Sequence, residues 1–202
     1  LPRVVWDREL PRLRRELEAA RQAGVTQALL GHIGQLPLAR SFGLIPRGDF
    51  GLGLTNDETA AELARLGFAS ATASFESRLA QIRDLSKPLD LELLVYGRLP
   101  LMLMEHCILR NRGQGCHCQD KPQSLGDRKG EHFPVESAWG CRNELFNAKP
   151  LWLADKTDWR TAGAAYARLA FLREGPGECA RVFRAYREGA GEPPRAFTRG
   201  LY

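Results

Sequence analysis

The chain has 202 residues, of which 44% are hydrophobic and 26% charged, a composition typical of a soluble globular protein with one domain or a large part of one. No apolar run approaches the roughly 20 residues that a membrane-spanning helix needs, and the first residues lack the pattern of a secretory signal. These features argue against a membrane protein and predict a cytoplasmic location. The formal net charge of +5 suits a polyanionic partner, although many soluble proteins are equally basic.

The first half of the chain alternates predicted strands with predicted helices. Apolar patterning predicts strands at residues 4–6, 25–30, 50–54, 68–75 and 89–96. Helical spacing predicts helices at residues 10–22, 36–42, 58–66 and 77–85. Five strands alternating with helices indicate a parallel α/β sheet. Short connections, and the lack of G-x-G-x-x-G after the first strand, favour part of a TIM-like (β/α) barrel over a nucleotide-binding open sheet.

The length of the chain is too small for a complete barrel of this kind. A full barrel takes about 250 residues, so about three βα units are missing. The chain starts at Leu1 and enters a predicted strand almost at once, which predicts that it was cut from a longer protein. Either the remainder of the parent chain or another subunit completes the barrel, or the sheet stays open.

The predicted organisation is a partial barrel at residues 1–97, a cysteine-rich metal-binding segment at 98–150, and closing βα elements with a C-terminal tail at 151–202, all in one domain. A helix is expected at 146–154, a strand at 165–171 and a final amphipathic helix at 177–188.

Four of the five cysteines lie in one short polar segment: Cys107, Cys116, Cys118 and Cys141. The first of them follows the strand predicted at 89–96, and the segment is too poor in apolar residues to bury much core by itself. An odd number of crowded cysteines is a poor disulfide framework, so reduced thiolates that ligate a metal are expected. Thiolates suit both iron–sulfur clusters and zinc, and plain reduced thiols are the remaining alternative. Cys179 has helical spacing with apolar neighbours and is interpreted as a structural thiol.

Several segments resemble one known family. They are residues 92–100 (ELLVYGRLP), 105–107 (EHC), 127–135 (DRKGEHFPV) and 141–151 (CRNELFNAKPL), with 48–52 (GDFGL) and 74–76 (SFE) upstream. They resemble the collagenase-like peptidase family U thirty-two over nearly the whole chain, which looks like the C-terminal portion of a long, multidomain member. Well-understood members are iron–sulfur proteins that support oxygen-independent hydroxylation of RNA pyrimidines or of a quinone precursor. Long members are similar to the enzyme that makes 5-hydroxycytidine in ribosomal RNA.

The resemblance implies a 4Fe-4S cluster held by four cysteines. By position, the second, third and fourth ligands fall on Cys107, on Cys116 or Cys118, and on Cys141. The position of the first ligand is occupied by Pro100, which cannot ligate. Either the extra thiol of the Cys116 and Cys118 pair replaces it, giving a rearranged quartet, or the cluster has an open iron or is lost.

Other polar residues are candidates for chemistry or substrate binding. Glu105 and His106 adjoin the first thiol and are candidates for proton transfer, or for contacts that only stabilise the loop. Arg110, Arg128 and Arg142 flank the cysteines and are candidates for binding a carboxylate or an RNA phosphate, with a mixed-charge surface as the alternative. His32, Asn56 and Glu76 fall near the carboxyl ends of predicted strands, where barrels assemble active sites, and Asn56 is interpreted by default as a helix cap.

The hypothesis from the sequence is therefore an iron–sulfur protein that hydroxylates a base in RNA. The resemblance implies that this RNA is ribosomal RNA. One alternative is a non-catalytic domain, stapled by zinc or a cluster, that supports a catalytic N-terminal barrel. The other is a collagenase-like peptidase. No H-E-x-x-H or G-x-S-x-G motif is present, so the peptidase hypothesis rests on the name of the family alone.

Overall fold

The computed structural model of the chain describes residues 1–110 and 122–201. The chain divides into two compact units. The first consists of Leu1–Val95, Lys156–Arg168 and Gly200–Tyr202, and the second of Tyr96–Asp155 and Leu169–Arg199. None of the helices in the described part of the chain combines the length and the apolar character that crossing a membrane requires.

The first unit is built from βα repeats, as the alternating pattern predicts. Its strands are β1 (Gln27–Leu30), β2 (Ile45–Gly48), β3 (Ser70–Thr72), the first part of β4 (Asp90–Gly97) and the first part of β10 (Tyr166–Ala170). Its helices are α1 (Leu10–Gln22), α2 (Leu36–Ser41), α3 (Asp57–Arg65) and α4 (Leu79–Asp84). Strands β1 to β4 pair in parallel, and the sheet order is β1-β2-β3-β4-β10 with β9 (Leu151–Trp152) paired antiparallel to β4.

Local sequence explains the helix boundaries of this unit. The Asn56 Oδ1 atom accepts a hydrogen bond from the Thr59 N–H at 2.8 Å, so the expected cap of α3 is confirmed. Gly67 follows the helix with φ of +72°, a left-handed conformation that glycine adopts without steric cost. The apolar stripe of α1 buries Leu13 and Leu17, as its spacing predicts.

Two strands predicted in this unit are wrong. Residues 4–6 are not a strand, because the Trp6 backbone bonds instead to Glu9 at the start of a 3-10 helix (N–H to Oε2, 2.8 Å). Residues 50–54 begin with a 3-10 helix, Phe50–Leu52, whose first N–H donates to Asp49 Oδ1 at 2.9 Å. The strand lies earlier, at Ile45–Gly48. It was not predicted because it contains Pro46, and proline is rare inside strands.

The second unit contains an antiparallel sheet. Its strands are β5 (Pro100–Met104), β6 (Gln123–Gly126), β7 (His132–Ala138) and β8 (Arg142–Phe146), in the order β5-β8-β7-β6. Helix α5 (Pro176–Glu188) belongs to the same unit. Its buried aromatic core joins Tyr96, Trp152 and Tyr186, whose ring centroids lie 5.5 to 6.2 Å apart.

This sheet corrects the expectation that the segment carrying the cysteines is too poor in apolar residues to bury much core. Val135, Arg142 and Asn143 are all buried within it. The helix predicted at 146–154 is also wrong, since Pro150 interrupts helical bonding and the chain forms β9 instead. The described residues therefore form an α/β protein with a mixed, mostly parallel sheet and a separate four-stranded antiparallel sheet, and among them the parallel sheet does not close into a barrel.

Candidate metal centre

Two of the four predicted thiols lie at the same end of the β5–β8 strand pair. Met104, at the end of β5, pairs with Asn143, near the start of β8. Cys107 follows Met104 by three residues, and Cys141 precedes Asn143 by two. Both thiols are free, Cys107 half-buried and Cys141 exposed. The antiparallel register thus brings two cysteines that are 34 positions apart in the sequence to one edge of the sheet.

An ion pair holds the segment before Cys107 against β8. The Arg142 Nε atom donates to Glu105 Oε2 at 2.6 Å, and its Nη2 atom contacts Oε1 of the same carboxylate at 3.3 Å. The Arg142 Nη1 atom donates to the Trp139 carbonyl at 3.1 Å. The Arg142 side chain is 2% exposed and that of Glu105 is 52% exposed, so a buried guanidinium reaches outward to a half-exposed carboxylate.

A second contact fixes the segment immediately after Cys107. The Ile108 N–H donates to Asn143 Oδ1 at 2.8 Å, and the Asn143 amide donates to the Arg142 carbonyl at 3.2 Å. Asn143 is 1% exposed. A buried side-chain amide of this kind must be hydrogen-bonded, because an unpaired one costs about 1 to 3 kcal/mol.

Cys141 itself has an uncommon backbone. Its φ is +61°, and it follows Gly140 at +76°, so two successive residues are left-handed. This conformation costs a non-glycine residue roughly 1 to 2 kcal/mol. Strain of this kind concentrates at functional sites. The tight turn Trp139–Cys141 delivers the thiol to the sheet edge directly before Arg142 enters the strand.

The described residues contain two of the four predicted thiols and no complete set of metal ligands. Cys116 and Cys118, with His117 between them, lie outside those residues. Within residues 1–110 and 122–201 no three His, Cys, Asp or Glu side chains converge on one point. The donors present are two free thiols at one edge, and the chemistry of this donor set suits soft metal ions.

Pro100 lies far from both thiols. It opens β5 opposite Phe146, a position that proline tolerates because β5 is an edge strand. Met104 lies four positions further along the strand, a span of about 13 Å at roughly 3.3 Å per residue. The position that the resemblance assigns to a first ligand is therefore at the other end of β5 from Cys107.

The remaining predicted residues are spread over the molecule. His106 and Arg110 are exposed near Cys107, on the same segment. Arg128 is exposed in the turn between β6 and β7, at the end of β7 remote from Cys141 and about 20 Å along that strand. His32 and Glu76 are exposed residues of the first unit.

Cys179 is half-buried on α5, and its Sγ atom lies 3.6 Å from the Glu174 carbonyl. Its interpretation as a structural thiol stays a prediction.

The structure also brings together polar residues that the sequence did not single out. In the first unit, Arg168 donates to Asp49 Oδ1 at 2.7 Å and to Thr72 Oγ1 at 2.9 Å, and it pairs with Glu92. No short-range signal identifies this set, since Arg168 lies 119 positions from Asp49.

A cleft of about 350 Å³ lies within the second unit. Its lining includes Arg98, Ser124, His132, Arg173 and Glu174. Burial opposes ionisation of Glu174, but hydrogen bonds from the Leu172 and Arg173 N–H groups and from the Tyr96 hydroxyl outweigh it and lower its pKa. His132 opens β7 at the end remote from Cys141, and neither Cys107 nor Cys141 is among the residues that line the cleft.

The chain matches no known family model, no curated protein and no solved structure.

Proposed function

We propose that this chain is the cluster-bearing part of an iron–sulfur protein of the collagenase-like peptidase family U thirty-two type, and that it supports hydroxylation of a pyrimidine in RNA. The observation that carries the proposal is the placement of Cys107 and Cys141 at the same end of the β5–β8 pair. The residues on both sides of Cys107 are hydrogen-bonded to Arg142 and Asn143, two buried side chains that follow Cys141. The first unit is proposed to be part of a (β/α) barrel that the remainder of the parent chain or another subunit completes, in the cytoplasm.

In this proposal Cys107 and Cys141 supply two ligands of a 4Fe-4S cluster, and Cys116 and Cys118 supply the others. Such a cluster, when bound, accepts and returns single electrons. The residues around the thiols have separate tasks: Arg142 holds Glu105, Asn143 holds the Ile108 amide, and the turn at Gly140 presents Cys141. The candidates for proton transfer are Glu105, whose carboxylate is half-exposed in its ion pair with Arg142, and His106, whose ring is exposed.

Charge supports an RNA partner. The net charge is +5, and Arg110 is exposed on the segment that carries Cys107. Arg142 is buried against Glu105, so substrate contacts are assigned to Arg110 rather than to Arg142.

The test is to purify the protein without oxygen and to measure iron, acid-labile sulfide and zinc per chain, together with the visible absorption spectrum. Iron and sulfide near four each, about the content of one 4Fe-4S cluster, are expected. Cys107→Ser and Cys141→Ser should each lose most of the iron, whereas Cys179→Ser should keep it. Zinc without sulfide would overturn the proposal in favour of a metal-stapled structural domain.

The proposed RNA hydroxylation is tested in cells whose only copy of the gene encodes the parent protein or its variant. Cys107→Ser should abolish 5-hydroxycytidine in digested ribosomal RNA while the protein stays folded and abundant. Persistence of the modified nucleoside at the wild-type level would contradict the assigned substrate.

A further inference from the structure

Asn143 and Arg142 contact the chain on both sides of Cys107, and Arg142 also donates to the Trp139 carbonyl in the turn that carries Cys141. Asn143 accepts from the Ile108 N–H, one residue after the thiol, and Arg142 holds Glu105, two residues before it. Both side chains start from consecutive positions of β8, and Cys141 directly precedes them. The segment 105–108 is therefore bonded to the strand that leads out of Cys141.

The burial of the two side chains shows that these contacts are not surface pairings. Arg142 is 2% exposed and Asn143 1% exposed. A buried guanidinium without a carboxylate partner is strongly destabilising, and a buried amide without a donor costs about 1 to 3 kcal/mol. The segment 105–108 thus supplies two of the contacts that offset the cost of this burial, the Glu105 carboxylate for Arg142 and the Ile108 N–H for Asn143.

We infer that Asn143 and Arg142 are positioning residues that fix the Cys107 thiol at the sheet edge beside Cys141 before any metal binds. Their contacts are made entirely by protein atoms, so the position of Cys107 is set by the fold. The inference rests on the proposed function only where it concerns metal loading. The geometry of the segment can be tested in the metal-free protein.

The first experiment is hydrogen exchange of the Ile108 amide in metal-free protein, compared between wild type and Asn143→Ala. Loss of the Oδ1 acceptor should speed exchange of this amide by about tenfold, the equivalent of one buried hydrogen bond. Glu105→Gln removes the charge of the second contact but keeps an acceptor for Arg142, and should give a smaller rise of about threefold. Because Glu105 is half-exposed, this variant decides the question if Asn143→Ala does not fold.

The second readout is alkylation of thiols by iodoacetamide, with Cys179 as the internal reference. Cys107 should react several-fold faster in Asn143→Ala than in wild type, while the rate at Cys179 stays unchanged. A matched control is Arg173→Gln. Arg173 holds Glu136 and the carbonyls of Gln123 and Val135 on β6 and β7, so its loss should lower stability without raising the Cys107 rate.

The outcomes separate the inference from the proposed function. Faster Ile108 exchange and Cys107 alkylation support the positioning role, whether or not the wild type holds iron. Wild-type rates in folded Asn143→Ala and in Glu105→Gln would overturn it. In iron-loaded protein, a lower iron content in Asn143→Ala than in Arg173→Gln connects the positioning role to the cluster.

Discussion

The guanidinium of Arg168 donates to the carboxylate of Asp49 at 2.7 Å, and the two residues are 119 positions apart in the sequence. Arg168 lies on β10 and Asp49 directly follows β2. Their side chains are 20% and 14% exposed, and Glu92, at 22%, pairs with the same guanidinium. The contact thus connects the late segment Lys156–Arg168 to the βα repeats of the first unit.

Arg168→Met should lower the free energy of unfolding by about 2 to 4 kcal/mol, because it leaves two largely buried carboxylates without their cation. Urea denaturation measures the loss. The matched control is Arg12→Met, which breaks a pair with Glu16 that is about half exposed and should cost less than about 0.5 kcal/mol. If Arg168→Met costs no more than Arg12→Met, the network does not stabilise the unit.

The sequence predicts the βα repeats well because their signals are local. Helix α1 has the predicted bounds, and Asn56 caps α3 as expected, since caps and apolar stripes depend on residues three or four apart. Strand β2 escaped prediction because Pro46 occupies it.

The antiparallel sheet had a local signal that composition obscured. Asp127 Oδ1 accepts the N–H groups of Lys129 and Glu131, which makes the turn between β6 and β7, and a short Gly-containing turn between two strands is a hairpin pattern. The contacts around Cys107 had no local signal in the sequence. Asn143 and Ile108 are 35 positions apart, and only the register of β5 against β8 brings them together.

The phenols of Tyr96 and Tyr186 should make stability fall at alkaline pH. Burial raises the pKa of both, and the nearby Glu174 charge adds to the rise at Tyr96. Below about pH 10 the phenols are protonated in folded and unfolded chains alike, so their contribution is fully present. Above that pH the unfolded chain ionises first, and the folded state loses stability.

The measurement is the free energy of unfolding between about pH 9 and 11.5. Above pH 10 the free energy of unfolding should decline less steeply in Tyr96→Phe and in Tyr186→Phe than in wild type. Each variant lacks one titrating proton, so the difference in slope should be roughly 1.4 kcal/mol per pH unit. Trp152→Phe, in the same aromatic core without a titrating group, should keep the wild-type slope. Unchanged slopes in both tyrosine variants would contradict the prediction.

Trp152 should tolerate replacement by phenylalanine better than its burial suggests. Its side chain is fully buried, and in the described part of the chain its Nε1 atom has no hydrogen-bond partner. Trp152→Phe removes that unpaired N–H together with part of the ring, so the two effects offset each other.

The expected loss of unfolding free energy is about 1 kcal/mol or less for Trp152→Phe and about 3 to 5 kcal/mol for Trp152→Ala, which removes the contacts with Tyr96 and Tyr186 as well. Thermal and urea unfolding of both variants check this. A loss in Trp152→Phe as large as that in Trp152→Ala would contradict the prediction.

Pro100→Cys should not increase the metal content of the protein. The resemblance places a ligand at this position, but Pro100 opens β5 while Cys107 lies beyond its other end, about 13 Å of strand away. A thiolate ligates iron or zinc at about 2.3 Å, so a cysteine at position 100 cannot reach an ion bound by Cys107 without unfolding β5. Iron, sulfide and zinc per chain should equal the wild-type values.

Because Pro100 lies on an edge strand, the substitution itself should change the free energy of unfolding by less than about 1 kcal/mol. A clear gain of iron in Pro100→Cys, lost again in Pro100→Cys with Cys107→Ser, would show that β5 rearranges to bring both positions to one cluster.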